Sequence, residues 1–119
     1  MSTFSSIEIL QGYLNVLTNR QQMITSNMAN IDTPGYHTKD LNFGAAMRQV
    51  MDERGDGNEA RLIPASMETA NLPERPDGNN VDVDREGLML AQTQLQFQLG
   101  VQLVKSDLQM VLTAIKEGN

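Results

Sequence analysis

The sequence lacks cysteine and tryptophan, and its only aromatic residues are three phenylalanines and two tyrosines. Without thiols the protein can form no disulfide, no thiolate nucleophile and no sulfur-ligated metal site. No apolar run approaches the roughly 20 residues that span a bilayer, so we expect no transmembrane helix. Eight methionines supply flexible apolar volume in place of aromatic rings. This composition favours a helical protein with a modest core.

The N-terminal residues 1–5 also lack the basic region and apolar core of a secretory signal peptide. If the protein leaves the cytoplasm, we therefore expect another export route to recognise it. We expect the 119 residues to form a single domain.

The net charge of −6 is confined to the middle of the chain. Residues 52–86 contain ten acidic and four basic residues, so they account for the whole imbalance, and the two ends are neutral. Neutral ends can pack against copies or relatives without bulk repulsion, whereas the acidic middle stays hydrated. Nucleic acid is an unsuitable partner because the sequence has no basic patch to contact phosphates.

Both ends carry apolar residues in a seven-residue repeat, the pattern that keeps one side of a helix against a partner helix. In the first helix the repeat consists of Ile7, Leu10, Leu14, Leu17, Gln21, Ile24, Met28 and Ile31. In the second it consists of Leu90, Gln94, Phe97, Val101, Val104, Leu108, Val111 and Ile115. We predict a mainly α protein in which two long terminal helices form an antiparallel coiled-coil stem, with a loop-rich middle and little β structure. The predicted segments are a helix over 5–30, a turn and acidic loop over 31–81, and a helix over 82–117.

The first helix has a predicted start and stop. Ser5 and Glu8 have the spacing of a capping box, and Asn30 tolerates the left-handed conformation that ends many helices. Pro34 and Gly35 then suit the second and third positions of a type II turn that runs from Thr33 to Tyr36.

The middle of the chain has weaker signals. Leu41 to Phe43 suggests a short extended piece, and Ala45 to Met51 a further turn or two of helix. Residues 52–80 contain repeated Gly and Pro and read as a loop, with a short β excursion at Leu62-Ile63 and Met67.

The second helix is predicted to begin at three acidic residues and to end at Gly118. Asp82, Asp84 and Glu86 favour the positive end of the helix dipole. The helix also has apolar residues outside its heptad seam, so we expect further subunits to cover them. Gln21 and Gln94 would lie at the same level of the antiparallel pair, and we hypothesise that they form a polar pair that fixes its register.

No catalytic, cofactor or metal site is predicted. His37 is the single histidine and has no nucleophile at a suitable spacing, so an exposed loop position is the simpler interpretation. The acidic run that starts at Asp77 fails the EF-hand pattern, because Val81 occupies a position that needs an oxygen ligand. We expect that the protein is not an enzyme.

Two motifs resemble those of the bacterial flagellar rod, hook and hook-associated proteins, the flagellar axial family. The first comprises Ala29, Asn30, Ile31, Asp32, Thr33, Pro34, Gly35 and Tyr36, followed by Asp40 and Phe43. The second comprises Gly78, Asn79, Asn80, Val81, Asp82, Val83, Asp84, Arg85 and Glu86 and leads into the C-terminal heptad helix. Within the family, the second motif and the short length are most similar to the proximal rod subunits.

The resemblance implies a structural subunit of the rod, which crosses the periplasmic space and transmits torque from motor to hook in motility. It also implies export by the flagellar type III apparatus without a cleavable signal. Expected partners are further copies of the chain, FlgC-like rod subunits, and a FliE-like adaptor joining the rod to the export gate. Alternatives are a FlgC-type rod subunit, a helical export chaperone or adaptor that binds a partner helix, and a regulatory helical hairpin that binds through its acidic loop.

Overall fold

A computed structural model describes residues 3–53 and 66–118 of the chain. The first helix, α1, spans Thr3–Ala29, and the last, α3, spans Val83–Glu117. Between them lie strand β1 (Lys39–Leu41), helix α2 (Phe43–Glu53) and strand β2 (Ser66–Glu68). The described part measures 69 × 28 × 19 Å, an elongated shape set by the long helices. The predicted fold class, mainly α with long terminal helices and little β structure, is confirmed.

α1 packs against α3 along an antiparallel seam. Asn27, near the end of α1, contacts Glu86 at the start of α3. Half-way along, Leu14 lies so close to Gly100 that a Cβ there would be 2.7 Å from the Leu14 Cδ2. Leu17 and Ile24 share the Leu14 face of α1 and are fully buried. α3, with 35 residues against 27 in α1, is about 12 Å longer and extends past the first turn of α1.

A second, smaller packing surface of α1 receives α2. The buried cluster consists of Val16 with Leu41, Ala46 and Val50, and Met23, Phe43 and Met47 pack around it. Gly12 allows the approach of α2, since a Cβ at this position would lie 2.4 Å from Val50 Cγ1. The absence of a side chain at Gly12 therefore lets α2 lie close to α1.

The end of α1 and the turn after it were predicted in part. Gly35 has φ +76° and the Tyr36 N–H donates to the Thr33 carbonyl over 3.2 Å, which confirms the predicted turn. Two other predictions were wrong. Ser5 lies inside α1 rather than at its cap, because the helix begins at Thr3. Asn30 does not take positive φ; its N–H instead bonds to the carbonyls of Ser26 and Asn27, which tightens the last turn.

The short elements lie close to their predicted places. β1 and β2 pair antiparallel, with Lys39 opposite Glu68 and Leu41 opposite Ser66. This pairing confirms the extended piece at Leu41 and the β excursion at Met67. Phe43, which was predicted to belong to the extended piece, instead begins α2. Leu62-Ile63 lies outside the described residues. α2 contains the predicted Ala45–Met51 helix and extends it by two residues at each end.

α3 begins and ends close to its predicted bounds, but its inner face differs. Asp82 caps the helix by accepting from the N–H groups of Asp84 and Arg85, as expected of this acidic start. The residues of α3 that are buried are Glu86, Thr93 and Gly100, a seven-residue spacing of polar and small residues. Gln94 is exposed, so the buried Gln21–Gln94 pair that we hypothesised is not formed. Positions 86, 93 and 100 carry polar or small residues, so the apolar repeat in the sequence did not indicate this half of the seam.

Candidate assembly site

A buried asparagine joins three elements where α1 ends. The Asn27 amide donates to Glu86 Oε1 over 2.6 Å and to the Lys39 carbonyl over 2.8 Å. Its oxygen accepts from the Lys39 N–H over 3.1 Å and from the Tyr36 hydroxyl over 2.9 Å. The side chain therefore pairs with both backbone polar groups of Lys39, as a neighbouring strand would, and links β1 to α1 and α3.

Asn79 closes the loop before α3 onto the end of α1. Its amide donates to the carbonyls of Asn30 and Thr33, over 2.9 and 2.8 Å, and its oxygen accepts from the Val81 N–H over 2.8 Å. The side chain is fully buried and all three bonds are made to backbone groups. The Asn79 amide thus holds the turn that starts at Thr33 against the segment that leads into α3.

Asn80 fixes the neighbouring part of the same contact. Its side-chain oxygen accepts from the Thr38 N–H over 2.6 Å, and its own N–H donates to the Tyr36 carbonyl over 3.2 Å. Arg75 adds to the closure by donating to the carbonyls of Val81, at 3.1 Å, and Ile31. Because the bonds to Thr38, Tyr36 and Ile31 join residues more than 40 positions apart, they hold the segment that follows α1 against the segment that leads into α3.

Glu86 is fully buried on the α1 side of α3. Its second carboxylate oxygen, Oε2, accepts from Arg85 Nη1 over 2.6 Å. Both oxygens of Glu86 therefore accept a hydrogen bond, which is the condition under which a buried carboxylate is tolerated. Its position in the first turn of α3, at the positive end of the helix dipole, also stabilises the negative charge. Glu86 therefore serves mainly to hold α3 against α1. This corrects our prediction, which gave Glu86 only a favourable interaction with the helix dipole. We call Asn27, Asn79, Asn80 and Glu86 the junction.

Side-chain contacts at the surface tie the loop around β2 to the segment that precedes β1. His37 Nδ1 lies 3.2 Å from Glu68 Oε1, and His37 Nε2 lies 3.0 Å from Glu74 Oε1. Asp40 pairs with Arg20 of α1 over 3.3 Å. Because the two glutamates lie on opposite sides of the imidazole, the cluster does not converge on one point. No group of metal-binding residues is found among residues 3–53 and 66–118.

α3 carries many apolar side chains that the described chain leaves uncovered. The exposed large apolar side chains of this helix are Val83, Leu88, Leu95, Leu99, Leu103, Leu108, Met110, Leu112 and Ile115. Outside α3, the described residues expose only two such side chains, Met51 and Met67. No helix in the described part of the chain has the length and hydropathy needed to cross a membrane.

The structure places the predicted interface residues at different depths. Of the first-helix set, Leu17 and Ile24 are buried, and the half-buried members are Ile7, Leu10, Leu14, Gln21 and Met28. Of the second-helix set, the half-buried members are Leu90, Phe97, Val101, Val104 and Val111, and the exposed ones are Gln94, Leu108 and Ile115. Their part in assembly stays a prediction.

The motif residues cluster around the junction. Asn79, Asn80 and Val81 are buried, and Gly78 is half-buried with φ +85°. The half-buried members of the first motif are Asn30, Ile31, Tyr36, Asp40 and Phe43. The exposed ones are Ala29, Asp32, Thr33, Pro34 and Gly35, and Asp82 of the second motif is exposed as well. Sequence reasoning missed Asn27, Thr38 and the tertiary contact of Glu86, which complete this site. Isolated polar residues in a helical stretch gave no signal that they are buried.

The comparisons with known proteins agree with this geometry. Residues 7–37 match the family of flagella basal body rod proteins, and this stretch covers most of α1 and the turn after it. The flagellar basal body rod protein FlgB of Bacillus subtilis is 32% identical, over 99% of this chain and 99% of the relative. FlgB of Salmonella typhimurium is 30% identical over 97% and 96%, and FlgB of Escherichia coli is 29% identical over the same shares.

The chain belongs to the FlgB family of flagellar basal body rod proteins. The likeness runs from end to end, so the stem and the junction both lie within the aligned length. The predicted resemblance to flagellar rod subunits is confirmed, because each of these relatives is a flagellar basal body rod protein FlgB. Membership of this family implies the flagellar basal body as the site of action.

Proposed function

We propose that this chain is a structural subunit of the proximal rod in the flagellar basal body and acts as one axial domain. It transmits torque from the motor to the hook by packing its helices against neighbouring subunits and performs no chemistry. The observation that carries the proposal is an antiparallel α1–α3 stem, closed at one end by the buried junction, whose longer helix presents an uncovered apolar face.

Transmission of torque requires that a subunit resist twisting. The junction supports this role because Asn79 and Glu86 tie the start of α3 to the end of α1 through short, buried hydrogen bonds. Buried polar bonds have defined geometry, so they fix the angle between the helices more firmly than apolar contacts alone. The stem then behaves as a rigid lever within a molecule whose longest dimension is 69 Å.

The neighbours that we propose are further copies of the chain, FlgC-like rod subunits and a FliE-like adaptor at the export gate. The chain would reach the rod unfolded through the flagellar type III apparatus. Marginal stability of the isolated stem suits such a route, since helices gain most of their stability from tertiary packing and the outer face of α3 lacks it.

The test is complementation of a motile bacterium whose own FlgB has been deleted. We expect the full chain to restore swimming and rods in isolated basal bodies, and a chain missing residues 100–119 to restore neither. A Gln22→Ala chain, changed at an exposed position of α1, is the matched control and should behave as the full chain does. A full chain that is produced and exported but leaves the basal bodies without rods contradicts the proposal.

An export chaperone or adaptor is the alternative to exclude. Such a protein should be fully folded before it meets a partner, so its terminal helices should be protected from amide exchange in the isolated state. We expect instead slow exchange at the junction and rapid exchange toward the far end of the stem, where α3 extends beyond α1.

A further inference from the structure

His37 joins the two ends of a short loop. Its Nδ1 lies 3.2 Å from Glu68 Oε1, at the end of β2, and its Nε2 lies 3.0 Å from Glu74 Oε1, in the segment that leads toward the junction. Between the two glutamates the chain turns at Asn71, which has φ +66°. We call His37, Glu68 and Glu74 the clasp.

The two contacts of the clasp require a proton on each nitrogen of the imidazole. A neutral imidazole donates from one nitrogen and accepts at the other, and an ionised carboxylate only accepts. With a neutral ring, one of the two glutamates would therefore face the lone pair of a nitrogen, and that contact would be repulsive. Because the imidazolium donates from both nitrogens, only the protonated His37 holds Glu68 and Glu74 at the same time.

The nearest other cations make contacts elsewhere. Lys39 lies opposite Glu68 across the strand pair, but its Nζ lies over the ring of Tyr36, 5.9 Å from the ring centre. Arg75 follows Glu74 in the chain, and its guanidinium donates to two backbone carbonyls, one after α1 and one before α3. The other charged side chains of these segments are Arg20 of α1, which pairs with Asp40 of β1, and Asp77, which accepts from the N–H of Asn79. Within the described ranges, the imidazole is thus the cation that contacts both carboxylates.

The charge of the clasp therefore depends on pH near neutrality. Histidine is the side chain that ordinarily gains or loses its charge between about pH 5 and 8, and this chain contains one histidine and no cysteine. Carboxylates become neutral only at a lower pH than imidazole does. We propose that His37 is a proton-dependent clasp, which closes the loop between Glu68 and Glu74 on the acidic side of neutrality and releases it as the pH rises.

The loop that the clasp closes is bonded to the segments around the junction. The Thr69 N–H donates to the Thr38 carbonyl over 2.9 Å, and the Arg75 N–H donates to the Asn79 carbonyl over 2.8 Å. Release of the clasp leaves two carboxylates without their shared cation, so the loop opens more often and these two N–H groups reach water. Their exchange with solvent therefore reports the state of the clasp.

The opening is local and leaves the α1–α3 stem folded. The side chains of Glu68 and Glu74 are 66% and 54% exposed, and ion pairs at such positions contribute little to global stability. The clasp thus controls the order of one loop and not the folding of the chain. It goes beyond the proposed function and does not depend on it.

The experiment is amide exchange of the full chain, measured for each residue by NMR and compared with His37→Gln at the same pH. At about pH 5.5, where histidine is charged, we expect the N–H groups of Thr69 and Arg75 to exchange about threefold to tenfold more slowly in the natural protein. At about pH 8, where histidine is neutral, the two proteins should exchange alike. Circular dichroism at both pH values should show equal helix content.

Three further proteins separate the charge of the clasp from its shape. His37→Arg keeps a positive charge at both pH values, so its loop should stay protected at both. Glu74→Gln removes one carboxylate and should lose part of the protection at the acidic pH. Glu8→Gln, at an exposed position of α1, is the matched control and should behave as the natural protein does. At about 1 M salt the protection should shrink in the natural protein, because exposed charges are screened.

Three results would overturn the inference. The first is equal exchange in the natural protein and His37→Gln at the acidic pH. The second is a difference of the same size at both pH values, which would mean that the charge of His37 has no role. The third is a His37→Arg protein whose protection still falls as the pH rises. Failure of complementation would refute the rod function and leave the clasp intact.

Discussion

Replacement of Asn79 by alanine is the most direct test of the junction. The side chain is fully buried and makes three hydrogen bonds to backbone groups. The carbonyls of Asn30 and Thr33 each keep one other bond, to the N–H groups of Thr33 and Tyr36. The N–H of Val81 loses the side-chain acceptor that satisfies it in the loop before α3.

The magnitude follows from these partners. Loss of two bonds whose acceptors stay partly satisfied costs about 1 kcal/mol each, and an unsatisfied buried N–H costs about 1–3 kcal/mol more. We therefore expect Asn79→Ala to lower the free energy of unfolding by about 3–5 kcal/mol. Asn79→Asp should be at least as destabilising at neutral pH, because its carboxylate keeps the acceptor for Val81 but faces two carbonyl oxygens.

The assay is urea unfolding followed by circular dichroism at matched protein concentration. Asn15→Ala is the control, since Asn15 is exposed in the middle of α1 and alanine is the better helix former there. It should be neutral or slightly stabilising. A loss below about 1 kcal/mol in Asn79→Ala, within the range of ordinary surface substitutions, would refute the junction as the element that holds the end of α1 against the start of α3.

Three further predictions concern the stem. Gly12→Ala should destabilise the protein by about 1–3 kcal/mol in urea unfolding, because the new methyl group meets the stiff Val50 side chain, and a neutral result would show that α2 is loosely packed. Gly87→Ala, with nothing within 4 Å of the added Cβ, should stabilise by up to about 1 kcal/mol, and destabilisation would contradict the open surroundings of Gly87. Glu86→Ala should lower the free energy of unfolding by about 2–4 kcal/mol in the same assay, because it removes the acceptor of the buried Asn27 amide. Glu68→Ala, at an exposed surface position, should change the free energy of unfolding little.

Apolar periodicity predicted the elements well and the buried seam only in part. The repeat through Leu90, Phe97 and Val104 is half-buried, and the helix ends fall within a few residues of their predicted places. The other half of the seam was assigned to the line of Gln94, which is exposed. Because α3 has hydrophobic residues on two sides, α1 could pack against either of them. The sequence pattern alone does not distinguish the two arrangements.

The junction could not be derived from local sequence for a different reason. Asn27 and Glu86 are 59 positions apart, and Asn79 bonds to carbonyls 46 and 49 positions away. Secondary-structure propensity and turn preferences describe residues that are close together in the sequence. The turn at Pro34-Gly35 could therefore be predicted, whereas these long-range hydrogen bonds could not. The resemblance to axial proteins pointed to Asn79 and Asn80 but not to what their amides do.

The residues along α3 depart from the usual arrangement of an amphipathic helix, because polar and small residues are its most buried positions and leucines line its outer face. Glu86, Thr93 and Gly100 face α1, while Leu88, Leu95 and Leu99 face outward. If stability of the isolated chain were the sole requirement, leucines on the inner face would give more apolar burial. Small and polar inner residues instead let α1 approach closely and fix its register through Asn27 and Glu86. Leu88, Leu95 and Leu99 then remain available to a neighbouring molecule, as expected of a subunit that assembles with other rod components.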